Sequence, residues 1–238
     1  KNPNIIMSDA DLDIAIPGVI DGMRYTRQGQ ACTAGSRIYI HEKIYDKVLE
    51  GAVEKLSKLK MGNALDEKSD IGAIISEEQL KRTLYYMDIA KKNTSTKILH
   101  GGNQSQGGDY KGGFYYEPTL LSGLPLSSPV CQEEVFGPVA CAIPFKSFDE
   151  VMNSANDTQF GLSAVLWTKD LSRALQFVDE IEAGFVQVNQ CVAPRANVSY
   201  GGIKMSGLGK EYAFDSMMNH FTQSKTVLIN RGKSNIDN

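Results

Sequence analysis

Several features that would place the chain in a specialised class of protein are missing from its 238 residues. No apolar run approaches the roughly 20 residues that cross a bilayer, and no apolar secretory segment follows Lys1. The net charge of -3 gives no reason to expect nucleic acid or a membrane surface as a partner. These absences favour a globular cytoplasmic protein, and the length allows one large domain.

Cysteine and histidine are too few and too scattered for a metal site or a disulfide framework. The four cysteines form no Cys-x-x-Cys motif, and the three histidines stand alone. Zinc sites need such clusters, and a chain of this length does not need disulfides in order to fold. No metal is therefore expected.

A glycine-rich phosphate loop is also missing. The segment GGIKMSGLGKE has Leu208 where a P-loop would have lysine, and no strand-turn-helix context precedes Gly207. The chain therefore contains no recognisable cradle for a pyrophosphate.

Hydrophobic patterning predicts alternating strands and helices in the second half of the chain. VACAIPF, SAVLWT and FVQVN are predicted strands, separated by helices that Ser147 and Asp170 cap, the second helix ending at Gly184. Short links between them predict an open, twisted, largely parallel α/β sheet with helices on both faces. Because ligands bind beyond the carboxyl ends of such strands, the loop after Asn189 is expected to contact substrate.

In the first half, a helix is expected from Asp11 to Tyr25 and a strand at SRIYIHE. A further helix is expected to begin at Ser76, where Gln79 would complete a capping box.

Cys32 lies among small residues in the segment GQACTAGSR. Most cysteines are small buried hydrophobes. Gly29, Ala31 and Gly35 nevertheless leave room for a substrate and for backbone N–H groups that point at a developing oxyanion. The same small residues suit a tight turn equally well, so both interpretations remain open.

The pair Glu133-Glu134 is interpreted either as surface charge or as a carboxylate beside an apolar wall that accepts hydrogen bonds from cofactor hydroxyls. Arg27 and Arg195 are interpreted as solvated or ion-paired, with anion binding as the alternative.

Eight segments resemble, in order, motifs of the aldehyde dehydrogenase superfamily, the NAD(P)-dependent enzymes with a cysteine nucleophile. They are KNPNIIMSDADLDIA, QGQACTAGSR, GGFYYEPTLL, EEVFGPV, NDTQFGLSAVLWTKDLSRA, AGFVQVN, GGIKMSGLGKE and QSKTV. The resemblance covers nearly the whole chain. It implies a catalytic domain over residues 1–220, an oligomerisation strand over 221–230 and a flexible tail over 231–238.

The same resemblance implies roles for individual residues. The Cys32 thiolate would add to an aldehyde, and the thiohemiacetal would pass a hydride to the nicotinamide, leaving a thioester that is hydrolysed to an acid. Glu134 would hold the nicotinamide ribose of NAD or NADP, and Phe136 would lie beside the nicotinamide ring. The aldehyde pocket is expected to involve Tyr25, Thr26, Ala31, Thr33 and Tyr200.

The chain also departs from the family. It starts at Lys1, where the family has ELGGK, so the general-base glutamate, an oxyanion-hole asparagine and the dinucleotide-binding domain are expected upstream. The chain alone is expected to have little or no dehydrogenase activity. Arg27 stands where an asparagine is common, and together with Arg195 it suggests a polar or anionic aldehyde.

The expected partners are a small-molecule aldehyde, the remainder of the same polypeptide and identical subunits in a homodimer or homotetramer. Three alternatives remain open: a CoA-acylating relative, a cysteine-dependent esterase that would need a histidine near Cys32, and a non-catalytic assembly domain.

Overall fold

The computed structural model describes residues 1–230, which contain eleven strands and seven α-helices. The strands are β1 (Pro3–Ile6), β2 (Arg37–His41), β3 (Lys97–His100), β4 (Gln104–Ser105), β5 (Tyr115–Tyr116), β6 (Thr119–Ser122), β7 (Val139–Phe145), β8 (Phe160–Gly161), β9 (Ser163–Trp167), β10 (Phe185–Val188) and β11 (Ile203–Lys204). The helices are α1 (Leu12–Gly22), α2 (Tyr45–Ser57), α3 (Glu77–Lys92), α4 (Pro129–Gln132), α5 (Phe148–Asn156), α6 (Leu171–Glu180) and α7 (Phe214–Phe221).

Seven strands form one sheet in the order β10-β9-β1-β2-β7-β6-β3. Every neighbouring pair is parallel except β3 with β6. The largely parallel α/β sheet predicted from the sequence is therefore confirmed. Strands β7, β9 and β10 fall where the alternation placed them, with β1 and β2 inserted between β7 and β9.

Helices cover both faces of the sheet. Successive residues of a strand point to opposite faces, so neighbouring residues pack against different helices. Ile6 of β1 packs in the core formed with α1 and α2. Its neighbour Ile5 packs on the other face with α5 and α6. Cys141 of β7 lies in a third apolar cluster, with α3 and α4. Burial on both faces explains why these strands are almost continuously apolar in sequence.

Two predicted helices end earlier than expected. Asp11 caps α1, but the helix stops at Gly22 rather than Tyr25, and Arg24 takes a left-handed conformation with φ of 59°. In α6 the Asp170 cap is as predicted, but the helix ends at Glu180 and the chain continues in an extended conformation before Gly184.

The start of α3 corrects a different expectation. Ser76 accepts a hydrogen bond from the Gln79 N–H and is the cap, as predicted. The Gln79 amide does not return to Ser76, however, and donates instead to the carbonyls of Val135 and Phe136. A capping box would need the Gln79 Oε1 to accept from the Ser76 N–H, and the side chain is instead directed at residues 135 and 136 through its Nε2.

The C-terminal part differs from the predicted strand. Phe221 is the last residue of α7, and residues 222–229 belong to no strand of the described chain. Val227, Leu228 and Ile229 are 63%, 92% and 79% exposed. Pairing of residues 221–230 with another subunit stays a prediction, and the tail predicted over 231–238 lies outside the described residues.

Candidate active site

A cavity of about 230 Å³ is lined by four of the residues to which the resemblance gives roles: Ala31, Cys32, Glu134 and Phe136. Its other walls include Lys1 and Asn2 before β1, Ser36 before β2 and Leu162 before β9. The cavity therefore lies at the amino ends of the parallel strands. The site was expected beyond the carboxyl ends, and this cavity does not lie there, although the loop after Asn189 does reach Cys32 through Tyr200.

At the carboxyl ends of the strands, side-chain hydrogen bonds join the loops to one another. The Asp9 carboxylate accepts from the Thr168 hydroxyl at 2.8 Å and from the Lys169 N–H at 2.8 Å. The Asn189 amide donates to the Thr168 carbonyl at 2.8 Å and accepts from its N–H at 3.0 Å. These bonds tie the segments that follow β1, β9 and β10 to one another.

Asn2 holds the backbone of residues 29–36, called here the cysteine loop. Its Nδ2 donates to the carbonyls of Cys32 at 2.7 Å and Ala34 at 3.0 Å, while its Oδ1 accepts from the Ser163 N–H at 3.1 Å. Cys32 itself is exposed. Its backbone N–H donates to no other group in residues 1–230, so this donor is available to a ligand.

Arg37, which ends the GQACTAGSR motif, is buried and purely structural. Its guanidinium donates to the carbonyls of Lys1, Ser154 and Ala155. The last two lie in the final turn of α5, where a cation also offsets the helix dipole. This residue fixes the start of β2 behind the cysteine loop.

Two side chains of α3 hold residues 134–136, called here the Glu134 segment. The Gln79 amide donates to the carbonyls of Val135 at 3.0 Å and Phe136 at 2.8 Å. The Arg82 guanidinium donates to the Glu134 carbonyl at 2.5 and 3.2 Å. Three successive carbonyls are thereby fixed, and they hold Phe136 in a left-handed conformation with φ of 55°.

The two adjacent glutamates have different surroundings. The Tyr86 hydroxyl donates to the Glu133 carboxylate at 2.7 Å, and the Arg82 guanidinium lies over the Tyr86 ring at 5.2 Å. Burial, together with the bond to Glu133, raises the pKa of Tyr86 to about 12. Glu133 is therefore engaged with α3, whereas Glu134 lines the cavity.

Tyr200 reaches the cysteine from the long segment after β10. Its hydroxyl lies 3.2 Å from Cys32 Sγ. The ring packs edge-on against Phe185 and Tyr212, at centroid distances of 5.4 and 5.8 Å. Burial is the main cause of a raised pKa for Tyr200, and the bond to Cys32 acts in the same direction.

The other residues expected in the aldehyde pocket are dispersed. Ala31 lines the cavity, whereas Thr33 is half-buried outside it and Thr26 is exposed. Tyr25 corrects the expectation: its ring is in the core against α1 and α2, and its hydroxyl donates to the Thr119 carbonyl at 2.8 Å. A tyrosine tied in this way is not part of the cavity wall.

The remaining polar candidates lie away from the cavity walls. Arg27 and Arg195 are both exposed, and the anionic-aldehyde hypothesis stays a prediction. No histidine lines the cavity. Within residues 1–230 no group of three or more His, Cys, Asp or Glu could hold a metal ion, and no helix of that part is long and apolar enough to cross a membrane.

Sequence reasoning missed Asn2, Gln79 and Arg82 as residues that position the site. The spacing of Gln79 and Arg82 puts them on one face of α3, but any helix offers such pairs. Only the folded chain reveals which carbonyls they meet.

Comparisons with known proteins agree with these motifs. The model of the aldehyde dehydrogenase family matches residues 1–227. An aldehyde dehydrogenase of Rhodospirillum rubrum is 38% identical over 235 residues, which are 96% of this chain and 46% of the relative. A betaine aldehyde dehydrogenase of Mesorhizobium japonicum is 34% identical over 232 residues, covering 98% and 47%.

Solved structures give the same answer. An NAD+ complex of an aldehyde dehydrogenase from Bacillus cereus superimposes with a TM-score of 0.91 at 33% identity, covering 98% of this chain and 46% of that one. A betaine aldehyde dehydrogenase from Staphylococcus aureus in complex with NAD+ gives 0.87 at 34% identity, covering 92% and 43%. The chain thus spans about half the length of the relatives it matches.

Proposed function

The chain belongs to the aldehyde dehydrogenase family, whose model matches residues 1–227, and on this premise we propose that it is the catalytic part of an NAD(P)-dependent enzyme. The enzyme oxidises an aldehyde to a carboxylic acid, with Cys32 as the nucleophile. The main support is one observation: the exposed Cys32 shares a cavity with Glu134 and Phe136.

Cys32 supplies the covalent chemistry. Its thiolate adds to the aldehyde carbon, and the carbonyl oxygen of the substrate becomes an alkoxide. The backbone N–H of Cys32, which no described residue occupies, donates to that oxygen. After loss of hydride the product is a thioester on Sγ, and water releases it as the acid.

The residues present fit one end of the cofactor. Glu134 supplies carboxylate oxygens for ribose hydroxyls, and Phe136 supplies a flat apolar surface for the nicotinamide ring. A cavity of about 230 Å³ is smaller than the ~300–1,000 Å³ typical of sites for whole ligands. When bound, NAD or NADP would supply the acceptor for the hydride. The pyrophosphate and adenosine would then bind to another part of the polypeptide.

The hydrolase alternative has less support. A cysteine hydrolase needs a base beside its thiol, and none of the three histidines lines the cavity.

The test compares NADH formation by the longer polypeptide, by its Cys32→Ser variant and by these 238 residues alone. Cys32→Ser should lower kcat about 1,000-fold or more, because the alcohol lacks the nucleophilicity of the thiolate. Cys191→Ser is the matched control, since Cys191 is half-buried, lies outside the cavity and should not affect the rate. The 238 residues alone should form no NADH.

Normal kcat in the Cys32→Ser variant would exclude Cys32 as the nucleophile. NAD-dependent aldehyde oxidation by the 238 residues alone would contradict the proposal that another part of the polypeptide binds the rest of the cofactor.

A further inference from the structure

We propose that the Tyr200 hydroxyl is a catalytic hydrogen-bond donor that stabilises the thiolate of Cys32, rather than only a wall of the aldehyde pocket. This inference rests on the proposed function, in which Cys32 is the nucleophile. It is carried by the 3.2 Å contact between the hydroxyl and Sγ.

The direction of the hydrogen bond follows from the two protonation states. A thiolate has no proton to donate, so in that state the hydroxyl must be the donor. Burial raises the pKa of Tyr200, so its hydroxyl keeps its proton over the working range of an enzyme. Hydrogen bonds to a charged acceptor are about twice as strong as neutral ones, so the contact favours the thiolate over the thiol.

Tyr200 is held in place before any substrate arrives. Its backbone exchanges hydrogen bonds with Glu211 at 3.0 and 2.7 Å. Lys210 Nζ donates to the carbonyls of Gly201 and Gly202, each at 2.9 Å. The hydroxyl is thus presented to the sulfur with little remaining freedom.

The backbone of the partner residue is held as well. Asn2 Nδ2 donates to the Cys32 carbonyl at 2.7 Å, which fixes the backbone position from which Sγ reaches the Tyr200 hydroxyl. Because both groups are already ordered, the hydrogen bond forms with little further loss of conformational entropy.

The other titratable groups around the sulfur are few. Glu134 and Lys1 line the same cavity, and Glu211 and Tyr212 lie behind Tyr200. Tyr200→Phe leaves these groups in place and keeps the ring against its aromatic neighbours, so the substitution removes the hydroxyl alone.

The experiment measures the rate of iodoacetamide alkylation of Cys32 in the full-length polypeptide as a function of pH, with peptide mass spectrometry to identify the modified cysteine. Tyr200→Phe should lower the rate about threefold near neutral pH. Loss of the hydrogen bond should lower the thiolate fraction roughly tenfold. Each remaining thiolate should react about threefold faster, because it no longer shares its charge with a donor, so the net loss is about threefold. At alkaline pH, where every thiol is ionised, the variant should react about threefold faster than the parent.

Tyr212→Phe is the matched control, since the Tyr212 ring packs on Tyr200 but its hydroxyl does not contact the sulfur. Its pH profile should match that of the parent. Background alkylation should be low, because Cys131 and Cys141 are buried and burial raises the pKa of Cys191.

Crossing profiles for Tyr200→Phe would support the proposal. A parallel change at every pH would indicate altered access only and would overturn it, as would an unchanged profile. Alkylation requires neither aldehyde nor NAD, so this result is independent of the dehydrogenase assay. If Cys32→Ser kept its dehydrogenase activity, the proposed function would be wrong. The alkylation profiles would still show whether the Tyr200 hydroxyl stabilises the Cys32 thiolate.

Discussion

Gly29 brings the cysteine loop against the Glu134 side of the cavity. Its φ is 64°, in the left-handed region that favours glycine, and a Cβ atom there would lie 2.2 Å from the Gly137 carbonyl oxygen. Glycine is thus favoured at position 29 for two separate reasons, the left-handed backbone and the lack of space for a Cβ atom. The close approach of the two loops therefore depends on the absence of a side chain.

Gly29→Ala should lower the free energy of unfolding by about 3 kcal/mol or more, because it adds a clash to a left-handed alanine. Urea denaturation measures the effect. Gly112→Ala is the matched control: its φ is 79° and nothing lies within 4 Å of the added Cβ. It should cost only about 1 kcal/mol. Equal losses in the two variants would show that the contact with Gly137 is unimportant.

At this scale the sequence motifs indicated some residues that the fold brings together, whose roles stay predictions, and they did not reveal the partners of others. The motif around Cys32 indicated the cysteine, and the cavity now contains it together with Glu134 and Phe136. Tyr25 was expected in the aldehyde pocket, and the structure places it in the core, 1% exposed. Its acceptor, the Thr119 carbonyl, lies 94 positions away in the chain, and no local pattern reveals such a partner.

Helix α3 positions the Glu134 segment although it contributes nothing to the cavity wall itself. Gln79 and Arg82 are three residues apart, so both point to the same side of the helix. Together they satisfy the carbonyls of residues 134–136. The orientation of the Glu134 carboxylate therefore depends on the docking of this helix.

Gln79→Met keeps the length of the side chain and removes both donors. In the full-length enzyme it should raise KM for NAD about fivefold while changing kcat much less, because the Glu134 segment loses its support and the nucleophile does not. The loss of stability should be about 1–2 kcal/mol. Steady-state kinetics with varied NAD, and urea denaturation, measure the two effects.

Lys91→Met is the control on the same helix, since Lys91 Nζ donates to the Gly102 carbonyl at 3.0 Å, away from the cavity. It should leave KM for NAD unchanged. An equal rise of KM in both variants would mean that α3 matters only for general stability.

The elements themselves were largely predictable, because strands buried on both faces are continuously apolar and helix caps use few residue types. Ser76, Ser147 and Asp170 cap helices as expected. The tertiary use of Gln79 was not predictable: its local spacing fits a capping box, but its Nε2 donates to two carbonyls more than 50 positions away.

At the scale of the whole molecule, the alternation of strands and helices predicted the parallel sheet but not the edge that holds the site. The general tendency favours the carboxyl ends of strands. Here Thr168 bonds to both Asp9 and Asn189 at that edge, and the cysteine loop and the Glu134 segment lead into their strands at the opposite edge. Strand order decides which side chains can bond to one another at the carboxyl ends of the strands. The sequence pattern does not predict that order.

The C-terminal segment raises a question of assembly. Val227, Leu228 and Ile229 are consecutive, exposed apolar residues, two of them β-branched, and they pair with no strand in the described chain. Exposed apolar segments with free backbone groups readily pair with another chain. This composition supports the predicted oligomerisation strand over residues 221–230.

Leu228→Lys should therefore shift the full-length enzyme toward smaller species in size-exclusion chromatography with light scattering, because it places a charge in the predicted interface. It should leave the melting temperature of the fold itself unchanged, since Leu228 has no packed environment within the described chain. Leu65→Lys is the matched control, because both leucines are 92% exposed and Leu65 lies in a loop between α2 and α3. A smaller species with both substitutions, or with neither, would argue against a specific role of the C-terminal segment in pairing subunits.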